Sequence, residues 1–226
     1  MVSICHASID ENGKAKNGKA GDQTGKEVCI RSWYDKPWNC VIRFHDPTMR
    51  EKVAIAMCNA AKNDHIGYDQ NQRNSLLNAV RKLGYDPRNA TSDVETDCSA
   101  LVTLACIYAG IAESALVVAG NSATTSTLKS RLKATGEVTV FTAKEYTKDT
   151  KKLLRGDILL SEGHHVAVVV SGDLIDNSDR SLEQVAKDVI AGKYGTGSYR
   201  RTALQAEGWN YSIVQAKVNE LLKRGL

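Results

Sequence analysis

The chain has 226 residues, 42% hydrophobic and 25% charged, and its net charge of +4 comes from Lys and Arg spread along the sequence. This is ordinary globular composition: it excludes a disordered or fibrous chain, and so small and dispersed a charge is no nucleic-acid footprint. The longest apolar run, from Ser99 to Gly110, is too short to cross a bilayer and is interrupted by Thr103. The amino-terminal MVSICHASIDENGK lacks the basic start and apolar middle of a secretory signal, so synthesis in the cytoplasm is expected. Cys58, Cys98 and Cys106 lie in helical patterns and no C-x-x-C occurs, so the six cysteines read as reduced.

Residues 1–46 carry glycines at 13, 18, 21 and 25, Trp33 and Trp38, and an alternating strand from Cys40 to Phe44; they read as loop with one or two strands. The segment GKAGDQTGKE has Ala20 where a phosphate-binding loop needs its first Gly, and Glu27 where it needs a hydroxyl, so a nucleotide site is rejected. The two tryptophans are secondary candidates for stacking on a sugar ring. Then MREKVAIAMCNAAK sets Val53, Met57 and Ala60 on one helical stripe, and YDQNQRNSLLNAVRKLG sets Leu76, Leu77, Val80 and Leu83 on another, closing on Gly84. A polar loop around Pro87 leads to VETDCSALVTLACIYA, a third helix ending at Gly110. Residues 120–135 offer only Leu128 and Leu132 and predict an exposed helix. From there the period changes: EVTVFT, RGDILL, HHVAVVV and DLIDNS read as consecutive antiparallel strands. Helices followed by a sheet give an α+β fold, in which the third helix packs across the strands.

The chemistry gathers where the polar run ends. Asp97 can cap the third helix and Cys98 is its first residue, where free N–H groups and the positive end of the dipole favour the thiolate. A cysteine nucleophile needs a base, and His164 or His165 opens the most apolar strand, an unfavourable place for an unpartnered imidazole. Asp176 or Asn177 on the next strand can fix the tautomer of that base. Asp157 and Glu162 read as solvated acids at the ends of a strand turn rather than a glycosidase pair. The adjacent histidines raise a metal, but no H-E-x-x-H or C-x-x-C accompanies them, so no metal or organic cofactor is expected.

These residues carry a resemblance. TDCSAL, followed sixty-seven positions after Cys98 by the histidine in RGDILLSEGHHVAVVV, resembles the NlpC/P-sixty superfamily of papain-like cell-wall cysteine peptidases over about residues 50–178. The resemblance implies Cys98 as nucleophile, His165 as base, and a third polar residue at Asp176, with Asn177 the alternative that strict spacing favours. It further implies substrate contacts from Asp97, which would hold the substrate's amine, from Ser99, and from Tyr68 in IGYDQ, although the family's double Gly is missing there.

Residues 181–226 form a separate unit, 1–178 being the catalytic part. Periodicity gives three short helices with turns at Gly192 to Gly197 and at Gly208. Asp188-Val189-Ile190, Gly192, Tyr194-Gly195-Thr196-Gly197, Arg200, Leu204, Gly208-Trp209-Asn210-Tyr211, Val214-Gln215 and Val218-Asn219 resemble one copy of the CW-seven (Cpl-seven type) repeat, which binds muropeptides. Arg200 would meet a wall-peptide carboxylate through its fork, and Tyr194 or Trp209 a sugar. Together the resemblances imply a phage or prophage endolysin that acts on bacterial peptidoglycan after release or lysis. The expected reaction is hydrolysis of a stem-peptide amide by a D-glutamyl endopeptidase. The alternatives are an N-acetylmuramoyl-L-alanine amidase of the same fold, a metal-dependent amidase using the His pair, and a wall-binding protein with no catalysis. No nucleic acid or membrane partner is expected.

Overall fold

A computed structural model describes residues 2–171, 182–197, 200–201, 204 and 211–224. The chain divides into two compact units, Met1–Asp173 and Leu174–Leu226. The first unit is a mixed α+β structure. In chain order it contains β1 (Ser3–Ala7), β2 (Val28–Ser32), β3 (Cys40–Phe44), α1 (Pro47–Ala60), β4 (Ile66–Tyr68), α2 (Ser75–Val80), β5 (Val94–Thr96) and α3 (Cys98–Ala109). There follow α4 (Glu113–Leu116), β6 (Val117–Val118), β7 (Asn121–Ser122), α5 (Leu128–Ala134), β8 (Val138–Phe141), α6 (Lys144–Thr147), β9 (Ile158–Ser161) and β10 (His165–Val169).

The six-stranded antiparallel sheet runs β2-β1-β10-β9-β3-β8. This corrects two expectations. β8 and β9 are not neighbours, because β3 from the amino-terminal segment lies between them, pairing Ile42 with both Ile158 and Val140. The first 46 residues are therefore part of the sheet, contributing three strands. β10 has β9 on one edge and β1 on the other, with Ile4 opposite Val169 and Cys5 opposite Val168.

α1 and α3 pack against each other and against one face of the sheet. Asp46 caps α1 by accepting from the Thr48 N–H at 2.7 Å, with Pro47 preset at the first helical position. Asp97 caps α3 through the Ala100 N–H, also at 2.7 Å, and Gly110 at φ +124° ends it. Only Tyr108 of α3 is not buried, so this helix is the central element of the core, with Leu101, Leu104, Ala105 and Cys106 in the same cluster as Met57, Val166 and Val168. Truncating a core leucine such as Leu104 to alanine costs about 2–5 kcal/mol in comparable sites. The α5 helix does present Leu128 and Leu132 as its apolar stripe, and both are completely buried. α2 is shorter than its pattern, giving way to a 3-10 turn at Arg81–Leu83 before Gly84 at φ +78°. Leu83 is exposed.

The RGDIL segment is architectural. Gly156 adopts φ +84°, and a Cβ there would lie 2.2 Å from the Arg50 carbonyl oxygen, so only glycine fits. Asp157 is fully buried, contrary to its reading as a solvated acid, because Arg43 donates to both its oxygens at 2.7 Å and Leu154 N–H at 2.8 Å. Glu162 instead pairs with Lys129. All six cysteines are free thiols, and among the described residues no helix is long and apolar enough to cross a membrane.

In the second unit, α7 (Leu182–Ile190) packs on α8 (Tyr211–Lys223). Val185, Ala186, Val189, Leu204, Val214, Val218 and Leu221 make its core. The expected middle helix falls largely outside the described residues.

Candidate functional site

Cys98 owes its position to two neighbours in sequence. The parallel pair β4–β5 sets Tyr68 against Thr96, so the chain enters α3 beside Tyr68. Asp97 then turns it into the helix, and its carboxylate is occupied: it accepts from Ala100 N–H, from Ser99 Oγ at 2.9 Å and from Arg73 through both oxygens. Arg73 also donates to Ser99 Oγ at 2.8 Å and to the carbonyls of Ser122 and Ala123 at 2.9 Å, tying the helix start to the 122–123 strand end. Removing Arg73 would leave a buried carboxylate unpaired, a loss of about 3–5 kcal/mol. Asp97 and Ser99 thus brace the backbone at Cys98, with 7% and 3% of their surface exposed. The sequence pattern gives no sign of Arg73, since its partners lie 24 to 50 residues away.

The thiol of Cys98 is buried. Burial pushes it up to about 12, and the Asp97 charge pushes the same way; the N–H groups of Val166 and Ser99 and the Arg73 guanidinium pull less strongly down. The helix start therefore does not leave a resting thiolate, contrary to the sequence expectation, because desolvation outweighs the dipole. Tyr68 is buried beside it, its phenol pushed up to about 12 by burial and by Cys98, with Gln70 Nε2 donating to its oxygen at 3.2 Å.

His165 opens β10, next to the Val166 N–H that points to Cys98. His164 lies in the turn between β9 and β10 and is exposed. The partner of His165 is His6 on β1, whose Nδ1 lies 2.8 Å from His165 Nε2. The β1–β10 register puts His6 opposite Ala167, on the same face as His165. The rings meet edge to face at 5.0 Å, Trp38 lies 6.3 Å from His165, and Tyr34 lies 6.3 Å from His6. Burial is the first cause that lowers both imidazoles, His165 to about 3 with help from His6 and Lys36, and His6 to about 4 with help from Arg31 and Lys36. His6 Nε2 is buried without a hydrogen-bond partner. Cys29 is opposite His6 on β2 and is half-buried.

Asp176, Asn177 and Trp209 lie outside the described residues. In the second unit Tyr194 is 4% exposed and belongs to the small core, so it does not present its ring to a ligand. Arg200 donates from Nε to the Gly195 carbonyl at 2.9 Å and reaches Gln215 Oε1 at 3.5 Å, joining the glycine turn to α8. Among the described residues no group of three His, Cys, Asp or Glu side chains is arranged to hold a metal ion. A cavity of about 520 Å³ beside α1, lined by Asn59, Lys62, His65 and Arg88 among others, includes none of the residues around Cys98.

Three residues before Cys98, Glu95 is 1% exposed, and its carboxyl has no hydrogen-bond partner beyond a weak pull from the Gly21 N–H. Burial first, then Glu27, Asp69 and Glu11, push it up to about 8. A carboxyl whose folded pKa exceeds its unfolded value binds a proton preferentially in the folded state, so stability falls as pH rises from about 4.5 to about 8, by up to about 1.4 kcal/mol per unit. The two lowered imidazoles act oppositely, their contribution being lost as pH falls below about 6.5. Glu95→Gln is expected to flatten the fall in Tm between pH 6.5 and 8; an unchanged slope in thermal melts across that window would contradict this.

A six-stranded antiparallel sheet, a buried cysteine at the start of α3 and paired imidazoles on neighbouring strands define a two-unit α+β protein. Residues 4–174 match the family model of the endolysin-like domain, and residues 183–222 match that of the CW_7 repeat. The chain belongs to the endolysin-like domain family. No curated protein and no solved structure matches it. An endolysin-like domain followed by a wall-binding repeat makes bacterial peptidoglycan its substrate and binding partner.

Proposed function

We propose that this protein hydrolyses an amide bond in the peptidoglycan stem peptide by cysteine nucleophilic catalysis, as a papain-like D-glutamyl endopeptidase. The observation that carries the reading is His165, held by His6 at 2.8 Å, on the residue adjoining the Val166 N–H turned to Cys98. The site rests as neutral thiol and neutral imidazole. As the sulfur attacks the carbonyl, His165 takes its proton, and the oxyanion is met by N–H groups at the α3 start, that of Cys98 included. His165 then protonates the leaving amine and activates water against the acyl-enzyme.

For His165 to accept a proton at Nδ1, its Nε2–H donates to His6 Nδ1. His6 thereby fills the orienting role that sequence reasoning gave to Asp176. Tyr68 closes the site beside the sulfur. The second unit holds the enzyme on a repetitive wall, where effective concentration offsets the modest affinity of one repeat.

The test is digestion of purified Gram-positive peptidoglycan in chelator plus reductant, with and without prior alkylation by iodoacetamide, and fragments identified by mass. Expected are fragments with a new amine at the D-glutamyl bond, lost on alkylation and retained in chelator. Cleavage at the N-acetylmuramoyl-L-alanine bond selects the amidase reading. Binding without any fragment, or inactivation by chelator alone, would overturn the mechanism.

A further inference from the structure

Two cations beside the paired imidazoles have no role in the chemistry described. Arg31 is opposite Ile4 in the β1–β2 register, which puts it on the same face as His6. Its guanidinium lies over the Tyr34 ring, 4.7 Å from the centroid, and Tyr34 in turn neighbours His6 and Trp38. Lys36 sits in the same 31–38 segment, between the two aromatic residues that flank the imidazoles, its carbonyl accepting from the Trp38 N–H at 2.6 Å. Its charge lowers both His6 and His165. Among the described residues neither Arg31 nor Lys36 makes an ion pair. Asp35, the acid between them, is taken by Lys148 at 3.0 Å.

The segment therefore offers positive charge with no ion pair among the described residues, one fork pre-oriented on an aromatic face and one point charge nearby, beside the paired imidazoles. Such a pair suits a planar carboxylate, which a guanidinium meets with two parallel bonds. An amide in its place presents a single acceptor and an N–H₂ group that faces the cations unfavourably.

We propose that Arg31 and Lys36 form a carboxylate subsite that reads a free carboxyl group on the stem peptide next to the scissile bond and discriminates against the carboxamide. The proposal rests on the stem-peptide hydrolase reading given above. It makes the 31–38 segment the specificity element of the enzyme.

The test uses two synthetic stem peptides, identical except for carboxylate or carboxamide on the residue contributing the scissile carbonyl. Wild-type enzyme is expected to show at least about a tenfold higher kcat/KM on the carboxylate, mostly through KM, and the ratio shrinks as salt rises because Arg31 is exposed. Arg31→Gln and Lys36→Gln each reduce the ratio, and the double variant brings it close to one. Equal kcat/KM on the two peptides, or a ratio untouched in the double variant, overturns the proposal. The same peptides are titrated calorimetrically against Cys98→Ala, whose subsite is intact. If neither peptide is cleaved but the carboxylate binds at least about tenfold tighter, the hydrolase reading fails and the subsite stands. If binding is equal, the subsite fails.

Discussion

Replacing Cys98 by alanine is expected to lower wall hydrolysis by about 10⁵-fold or more, to background, with the fold and wall binding retained. The change removes one sulfur from a site braced independently by Asp97, Ser99 and Arg73, so Tm should move little. Cys29→Ala is the matching control: that thiol lies across β2 from His6, and its loss should leave hydrolysis within a few-fold of wild type. If Cys29→Ala abolishes activity and Cys98→Ala does not, the nucleophile is on the strand instead of the helix. The pH profile supplies a second readout. With the thiol pushed up to about 12 and His165 pushed down to about 3, the proposed catalytic pair stays neutral across the neutral range. The rate falls on the acid side only where His165 protonates, so kcat/KM is level from pH 8 to 5, where an ordinary imidazole would fall through 6.5. A fall centred near 6.5 would show that the pair is not held as described.

The parts of this site that the sequence makes legible are those set by local physics. Asp97 as cap and Cys98 as the first helical residue follow from one turn of chain, and the α3 core face follows from periodicity. β9 and β10 are hairpin neighbours joined by the Gly163 turn, and they emerge where alternation puts them. What depends on distant pairing is not legible. The β1 strand that meets β10 comes from 159 residues upstream of His165, and no period within a window of twenty residues signals it. For the same reason β3, read correctly as a strand over Cys40–Phe44, could not be placed between β8 and β9. The thiolate expectation failed for a different cause. A dipole argument sees only the helix, whereas the depth of Cys98 depends on the core it shares with the sheet and with Tyr68, and burial then sets the sign.

His6→Ala is expected to lower kcat by about 10²- to 10⁴-fold with KM little changed, because the base loses the acceptor that fixes its tautomer. The proposed mechanism requires the tautomer in which Nε2–H of His165 donates to His6 Nδ1, leaving Nδ1 of His165 to take the thiol proton. Without His6 the proton can occupy either nitrogen, and the ring can turn away from Cys98. His6→Asn retains an acceptor oxygen near the place of Nδ1 and should recover part of kcat, whereas His6→Leu, of similar bulk, should not. A purely structural His6 would give the opposite order, since leucine fills the buried site and leaves no polar atom unpaired, while His6 Nε2 is itself unsatisfied. The pH profile separates the two roles again. Burial beside His6 helps hold His165 low, so the alanine variant admits water, removes that neighbour and moves the acid limb upward toward 6.5. Loss of stability alone would reduce active enzyme without moving the limb. An unshifted limb, together with full recovery in His6→Leu, would return the orienting role to a residue outside β1.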